Sequence, residues 1–380
     1  MSTKVAFVTS SHSPYDDRIF YHQAKSLVEQ NFDVQIFCST KEICTKENSI
    51  FLNGFNASSI SKKEKIKKFA ESLKEFNPDV AICSEPLTIL ASVSFKKQFK
   101  KGVKIIYDVT EWYPSKKNLR DISGINKIVA FIKLTFFNIY TSCFVDGFIF
   151  GEYYKGIPFR FLFPFKKNIF IGYYPSLNYI NYTESKLQES SICLGYTGTL
   201  SEEKGILNFL RVLKDFNLKY KGIKVKAKVI GKFLSKEEKE KFDKIANELS
   251  EIEFEIIDPV EFKRFSDSLQ EINIFFDLRK TDFENQHCLP IKLFYYIACG
   301  RPVIYSKLKA ITKKVDISTF GYTVNPADYN CISEIINNYI IHPFTYYEHS
   351  ANARSLAENK YNWNSIESKF IEFINTFSKK

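Results

Sequence analysis

Short apolar runs alternate with amphipathic helical segments along the chain, and this order occurs twice. Runs such as KVAFVTS (4–10), DVAICS (79–84) and INIFFDL (272–278) are too short for most helices and lack a regular polar alternation. Such runs are typical of strands that are buried on both faces. Parallel strands require a crossover connection, usually a helix, between them. The sequence therefore predicts an α/β fold of doubly wound parallel sheets.

A polar stretch at 173–191 separates the two cycles. We predict an N-terminal Rossmann-like domain over 1–180, a C-terminal one over 181–355, and a final helical segment over 356–380. Ligands of open parallel sheets bind beyond the carboxyl ends of the strands. Two such domains are expected to face each other across a cleft, so candidate site residues are sought in the loops that follow strands.

The apolar segment 125–150 raises the question of a membrane span. Lys133 interrupts it and Asp146 lies near its end. A spanning helix needs about 20 predominantly apolar residues, and no uncharged stretch here reaches about 18. We therefore predict a packed helix followed by a buried strand.

The positive charge of the chain is concentrated in its first part. Residues 1–180 hold 25 Lys and Arg against 16 Asp and Glu, whereas the remainder is nearly balanced. With the basic helix 59–76 and the aromatic stretch 159–167, this predicts peripheral contact with an anionic membrane. In the alternative interpretation the lysines face water and the phenylalanines fill the core. No nucleic-acid-binding signature occurs, so nucleic acid is not an expected partner.

The eight cysteines form no CxxC pair, and the first residues lack the apolar core of a signal peptide. Reduced cysteines in apolar surroundings behave as small hydrophobic residues. These features predict a cytoplasmic protein. Peripheral attachment to the inner face of the cytoplasmic membrane is compatible with this prediction.

A lysine occurs at an unexpected place in the stretch 287–304. The pattern predicts a helix that opens at Pro290, stops at Gly300 and precedes a buried strand. Lys292 falls in the first turn, where the helix dipole is already positive. We therefore predict that Lys292 contacts a bound anion.

A second candidate anion site follows the first strand of the second cycle. Gly198 allows close approach of a ligand, Thr199 can donate a hydrogen bond, and Lys204 lies just before a helix. Neither the dinucleotide nor the P-loop fingerprint occurs, and no Asp-x-Asp pair offers a metal site. Lys204 and Lys292 together suit a pyrophosphate, with no metal expected.

Taken in order, several motifs resemble the bacterial glycosyltransferases of the GT-B fold, family 4. They are SPYDDRI (13–19), YDVTEWYP (107–114), GYTGTLSEEKG (195–205), LPIKLFYYIACGRPVI (289–304) and YNWNSIESKF (361–370). The resemblance implies retaining transfer of a hexosyl group from a UDP- or GDP-linked sugar to a glycan or polyprenyl-linked acceptor. It implies a role in surface polysaccharide or glycoconjugate synthesis and no further cofactor. It also implies that the last helix crosses back to the first domain.

The resemblance assigns roles to individual residues. Lys204 matches the pyrophosphate-binding lysine, and Thr199 stands where many members have arginine. His287 and Tyr295 replace two glutamates of the family, with Glu284 and Asn285 as nearby polar alternatives. In the alternative interpretation Tyr295 is a core residue and His287 an ordinary loop histidine. The predicted catalytic residues are Lys204, Lys292 and His287. The predicted donor-binding residues are Gly198, Thr199, Gly231, Glu284, Asn285, Leu289, Pro290, Ile291 and Tyr295.

On the acceptor side the resemblance points to His12, Asp17, Arg18, Thr110 and Glu111, with Thr110 where many members have histidine. Two alternatives remain open. The first is a nucleotide-sugar epimerase of the same fold, which would bring more carboxylates and histidines to its cleft. The second is a non-catalytic member, which the loss of both glutamates favours and the retention of the two lysines opposes.

Overall fold

The computed structural model describes residues 2–378. These residues form two compact units, each with its own sheet. Of the described residues, 2–173 and 366–378 make up the first unit and 174–365 the second.

The first unit is built on an eight-stranded sheet in the order β3-β4-β2-β1-β5-β6-β7-β8. Its strands are β1 (Lys4–Thr9), β2 (Asp33–Cys38), β3 (Ile43–Glu47), β4 (Ile50–Gly54), β5 (Val80–Cys83), β6 (Lys104–Val109), β7 (Gly147–Phe150) and β8 (Lys167–Phe170). Only the β3–β4 pair is antiparallel. The sequence prediction omitted this hairpin, because the edge strand β3 is largely exposed and has no apolar run.

Helices connect the parallel strands of the first unit. They are α1 (Lys25–Glu29), α2 (Lys62–Phe76), α3 (Pro86–Gln98), α4 (Gly124–Ser142) and α5 (Tyr153–Leu162). A π-helical segment, Asp17–Ala24, leads into α1, and a short 3₁₀ turn covers Lys116–Leu119. Strands β5 and β7 are buried at every position because helices cover the sheet, as the apolar runs predicted.

The second unit has a six-stranded parallel sheet in the order β11-β10-β9-β12-β13-β14. Its strands are β9 (Ser191–Leu200), β10 (Lys224–Phe233), β11 (Glu253–Ile257), β12 (Ile274–Asp277), β13 (Val303–Ser306) and β14 (Gly321–Val324). Its helices are α6 (Ile206–Lys219), α7 (Lys236–Ala246), α8 (Phe262–Ser268), α9 (Phe283–Gln286), α10 (Lys292–Ala298), α11 (Lys309–Lys314), α12 (Tyr329–Ile341) and α13 (Pro343–Asn359). Two 3₁₀ turns cover Leu177–Tyr179 and Ile317–Thr319.

The last helix, α14 (Asn364–Asn375), starts at the end of the second unit. From residue 366 onward it groups with the first unit, where the rings of Phe373 and Phe377 lie against Gly147 of β7. A Cβ atom at Gly147 would lie 2.6 Å from the Phe377 ring. The absence of a side chain at this position therefore lets the end of the chain pack directly on the strand.

One prediction about packing was wrong. The segment that contains α4 was expected to form a packed helix, but seven large apolar side chains of this helix are exposed. The strand after it, β7, is buried as predicted. Within residues 2–378, no helix combines the length and the apolar character that crossing a membrane requires.

Candidate functional site

Two glycines bring β9 and β10 unusually close together. Gly198 and Gly231 are register partners, and a Cβ atom at Gly231 would lie 1.8 Å from the Gly198 carbonyl oxygen. Gly198 itself has a φ of +104°, a conformation that side chains disfavour. Beside this pair lies a cavity of about 300 Å³. It is lined by Thr197, Gly198, Thr199, Ile230, Gly231, Lys232, Pro259, Val260, Phe265 and Lys292.

Lys292 is the first residue of α10, two positions later than the predicted opening of that helix. Its Nζ donates to the Thr197 carbonyl at 2.5 Å and lies 3.4 Å from an Asp277 carboxylate oxygen. The side chain is 20% exposed. Burial lowers the pKa of Lys292, an effect that the charge of Asp277 opposes. A protein carboxylate therefore lies where the sequence predicted an external anion, although one face of the lysine still lines the cavity.

Asp277, at the end of β12, is held by two cations. Its carboxylate accepts from Arg279 Nε at 2.7 Å and Nη2 at 2.5 Å, in the bidentate arrangement that guanidinium groups favour. Burial alone would raise the pKa of Asp277, but the charges of Arg279 and Lys292 outweigh it and lower that pKa to about 2. Two cations around one carboxylate leave a net positive charge at the cavity wall.

Sequence reasoning missed Asp277 and Arg279. The run that contains them, INIFFDLRK (272–280), does end in polar residues beyond a buried strand, which is where site residues of parallel sheets occur. The position of Asp277 and Arg279 at the end of a buried strand could therefore have identified them as candidate site residues.

Lys204 lies in the turn between β9 and α6. The turn passes close to the end of β12, because a Cβ atom at Gly205 would lie 2.2 Å from the Leu278 carbonyl group. Lys204 Nζ donates to Asn285 Oδ1 at 3.1 Å and lies 3.3 Å from Glu203 Oε1. Its charge contributes to the lowered pKa of Lys292, so the two ammonium groups are within electrostatic range. Lys204 lies outside the set of residues that line the cavity.

The other predicted donor residues occupy α9, α10 and the loop between them. Asn285 is buried and donates to an Asp282 carboxylate oxygen at 3.0 Å. His287 Nδ1 lies 2.7 Å from the Phe283 carbonyl, and its ring packs on that of Phe283. Glu284 is half-buried within α9.

Tyr295 is 4% exposed and packs behind the cavity wall. Its ring makes edge contacts with Phe262 and with Phe265, and the latter lines the cavity. Neither Tyr295 nor His287 is among the lining residues. Leu289 and Pro290 are buried and Ile291 is half-buried, directly before α10.

The carboxyl end of β1 carries a polar cluster in the first unit. Glu85 accepts from the Thr9 hydroxyl at 3.0 Å, from Ser10 N at 2.8 Å and from Ser11 N and its hydroxyl. His12 Nδ1 lies 2.9 Å from an Asp16 carboxylate oxygen. Burial lowers the pKa of His12, but the hydrogen bond and charge of Asp16, with the charges of Glu85 and Glu111, raise it to about 9.

Arg18, predicted on the acceptor side, is buried in an ion pair. Its Nε and Nη2 donate to Asp108 at 2.9 and 3.0 Å, and Nη1 donates to the Ile171 carbonyl at 3.0 Å. These bonds connect the segment after β1 to β6 and to the chain after β8. The Asp17 carboxylate accepts from Arg18 N at 2.9 Å.

Thr110 and Glu111, the remaining acceptor-side candidates, follow β6. The Thr110 carbonyl accepts from Lys155 Nζ at 2.6 Å and from the Tyr173 hydroxyl at 2.7 Å. Glu111 is exposed, and its charge acts on the pKa of His12. Glu111 is therefore within electrostatic range of His12, whereas Arg18 is buried in its ion pair.

All eight cysteines are free in the structure. Burial raises the pKa of Cys83, Cys193 and Cys299 to about 12, so these thiols are weak nucleophiles at neutral pH. Within residues 2–378, no cluster of three or more His, Cys, Asp or Glu side chains is arranged to hold a metal ion.

No protein-family model and no curated protein sequence matches the chain. Solved structures do match over nearly the whole length. Sucrose-phosphate synthase from Thermosynechococcus elongatus superimposes with a TM-score of 0.76 at 13% identity, covering 98% of each chain. HepE from Anabaena, in complex with UDP-glucose, has a TM-score of 0.69 at 13% identity, covering 98% of this chain and 99% of its own.

A third similar structure is the E. coli trehalose-6-phosphate protein bound with UDP-2-fluoro glucose. Its TM-score is 0.72 at 10% identity, with 97% of this chain and 98% of its own covered. Such low identities relate the folds and not the individual site residues. The α/β fold, with two sheets of predominantly parallel strands, thus matches GT-B glycosyltransferase structures, as the sequence predicted.

Proposed function

We propose that the protein transfers a sugar from a nucleoside-diphosphate sugar to a glycan or polyprenyl-linked acceptor. The observation that carries the proposal is the cavity beside the Gly198–Gly231 pair, with the Lys292 ammonium group in its wall. Structures of the same fold were solved with UDP-glucose and with a UDP-sugar analogue, which supports a nucleotide-linked donor. We further propose the finer assignment to family 4, with a hexosyl donor, retention of configuration and a role in surface polysaccharide synthesis.

The chemistry of this cavity suits a diphosphate leaving group. When the bond to the sugar breaks, negative charge develops on the β-phosphate, and fixed cations lower the energy of that state. Lys292 supplies a preorganised charge because Thr197 and Asp277 hold its ammonium group. Lys204 lies within electrostatic range of the same place. The proposed mechanism relies on these cations and needs no metal.

The proposed acceptor site is the polar cluster at the end of β1. Glu111 is exposed there, and His12 is one-fifth exposed and carries a proton at neutral pH. Such groups form hydrogen bonds with sugar hydroxyls. Arg18 and Thr110 act indirectly in this proposal, because their contacts fix the backbone that carries the cluster.

A thermal-shift panel of UDP, GDP, ADP and CMP tests donor binding. A ligand at 100 times its dissociation constant stabilises the folded state by about 2.7 kcal/mol, which is readily measured. Lys204→Ala and Lys292→Ala should each weaken binding of the preferred nucleotide about tenfold to a hundredfold, since a charged hydrogen bond contributes roughly 1.5–3 kcal/mol. Lys236→Ala, at a lysine whose side chain is 92% exposed on α7, is the matched control.

If no nucleotide shifts the unfolding temperature, the donor proposal is wrong. Normal binding in both lysine variants would remove the assigned role of these cations.

A non-catalytic protein is the second candidate, favoured by one observation. Tyr295 packs behind the cavity wall and His287 contacts its own helix, so neither stands in the cavity for the missing glutamates. Nucleotide binding without release of nucleoside diphosphate from any sugar donor, with acceptor extracts present, would favour this candidate over the enzyme.

A further inference from the structure

Helix α4 carries its apolar side chains on the face that points away from the protein. Six of them recur every three or four residues and are 41–76% exposed; this outward stripe consists of Ile125, Ile128, Val129, Ile132, Phe136 and Tyr140. The opposite face buries Asn138 and Thr141. Amphipathic helices of globular proteins show the reverse arrangement, with apolar residues inside. An exposed apolar surface of this extent indicates a binding surface.

The exposed apolar surface continues onto α5. Tyr153, Ile157 and Phe161 are spaced four residues apart and are 38%, 42% and 83% exposed, and Phe165, just beyond the helix, is 99% exposed. The next residue, Lys166, donates to the carbonyls of residues 142, 143 and 145 at 2.7–2.8 Å. These bonds hold Phe165 beside the end of α4, so the two helices contribute to one surface.

The exposed charged side chains on α4 and α5 are all cationic. Residues 124–142 contain two lysines and no acidic residue. Residues 153–167 contribute Arg160, Lys166 and Lys167, whereas Lys155 is buried in an ion pair with Glu152. Helix α3 packs on both α4 and the lysine-rich α2, which extends the positive layer. A second copy of the same face would bring cations against cations. Anionic lipid, in contrast, provides both a hydrocarbon phase for the apolar side chains and negative charge for the lysines.

We infer that the outward stripe of α4 and the exposed end of α5 insert into the interface of an anionic lipid bilayer. With 19 residues, α4 is about 28 Å long, and its polar inner face stays packed on the protein, so the helix lies along the membrane. This places the predicted membrane contact mainly on α4. On α2, which the sequence pointed to, the larger apolar residues Phe69, Leu73 and Phe76 are buried. The inference is independent of the transferase proposal, because lipid binding requires no turnover.

Vesicle flotation of the full-length protein tests the inference. Wild type should float with phosphatidylcholine vesicles that contain phosphatidylglycerol, bind pure phosphatidylcholine weakly, and lose binding as salt rises. The double variant Ile128→Glu/Phe136→Glu should bind at least tenfold more weakly. Leu218→Glu/Phe344→Glu is the matched control, since these side chains are 63% and 79% exposed in the second unit, and it should bind like wild type.

Tryptophan fluorescence distinguishes insertion from adsorption by charge alone. Phe136→Trp should be quenched by brominated lipids, whereas Phe344→Trp should not. Circular dichroism confirms that each variant is folded, and the equally exposed control pair guards against a general effect of added acidic residues.

Three outcomes would overturn the inference. One is the absence of binding to anionic vesicles at low salt, and another is wild-type binding by the stripe variant. In the third, wild type sediments as a dimer and the stripe variant as a monomer, which would make this surface an interface between copies of the chain. None of these outcomes bears on nucleotide binding, so failure here and failure of the transferase proposal can be told apart.

Discussion

Replacing Asp16 with asparagine should lower the pKa of His12 well below its value of about 9. The Nδ1 atom of His12 lies 2.9 Å from the Asp16 carboxylate, and about one-fifth of each side chain is exposed. Burial lowers the pKa of His12, but the acidic neighbours, Asp16 above all, raise it from 6.5 to about 9. Asparagine removes the negative charge while its side-chain oxygen can still cap the segment that begins at Asp17, as Asp16 does.

The size of the effect follows from the pKa difference. Each pKa unit corresponds to 1.36 kcal/mol, so a rise from 6.5 to about 9 contributes about 3 kcal/mol to stability. Because the folded-state pKa is raised, this stability is fully present below the unfolded pKa and is lost as pH increases through about 9. Wild type should therefore lose stability between pH 6.5 and 9, and Asp16→Asn should show a much smaller decline in that window.

Two measurements check this prediction. Proton NMR follows the histidine ring signals with pH, and His12→Gln assigns one of the five histidines. Urea unfolding at pH 6, 8 and 10 gives the free energy of unfolding. Asp17→Asn is the control, with the same charge change one residue away at a carboxylate that is not among the causes of the shift. A wild-type His12 that titrates near pH 6.5, or a pH-independent difference between wild type and Asp16→Asn, would refute the reasoning.

The outcome bears on the proposed chemistry. A histidine with a pKa of about 9 is protonated at neutral pH, so it donates hydrogen bonds and cannot accept the proton of an attacking hydroxyl. We therefore expect His12 to position the acceptor and not to act as a general base.

Three further predictions concern the metal, the cavity and the core. Sugar transfer should survive EDTA, and an absolute requirement for magnesium or manganese would contradict the proposed cationic site. Gly231→Ala should lower the free energy of unfolding by about 1–3 kcal/mol and reduce nucleotide binding more than tenfold, because its Cβ would clash with the Gly198 carbonyl. Gly102→Ala is the control in both assays, since a Cβ atom at Gly102 has no neighbouring atom within 4 Å. Arg18→Met should cost about 3–5 kcal/mol in urea unfolding by leaving Asp108 buried without its cation, and a loss below about 1 kcal/mol would argue against a structural ion pair.

Local patterns predicted the sheets well because strands buried on both faces appear in the sequence as continuous apolar runs. The runs at β5 and β12 are apolar at nearly every position, and both strands are buried throughout. The edge strand β3 has no such apolar run because it is largely exposed to solvent. For α4, the same local evidence led to a wrong conclusion. The apolar composition identified the helix, but composition does not show whether the apolar face packs on the protein or is exposed at its surface.

The site was predicted only in part, for a similar reason. Lys292 at a helix start was visible in the sequence, and the structure places it in the cavity wall. Its partner Asp277 is 15 positions earlier in the chain and becomes a neighbour only because β12 ends beside α10. The burial of Arg18 likewise depends on Asp108, a contact across 90 positions. Pairings of this kind are made by tertiary structure and have no local signature.

The two clusters at the strand ends differ in the sign of their charge, and this difference argues for separate roles. In the second unit, Lys204, Arg279 and Lys292 face Glu203 and Asp277, so cations are in excess. At the end of β1 the balance of charge is reversed, because three carboxylates act on the single His12 cation: Asp16, Glu85 and Glu111. A diphosphate is attracted by the first cluster and repelled by the second. Sugar hydroxyls carry no charge and can bind beside carboxylates. If the protein has the proposed function, we therefore expect the donor phosphates in the second unit and a hydroxyl-bearing acceptor in the first.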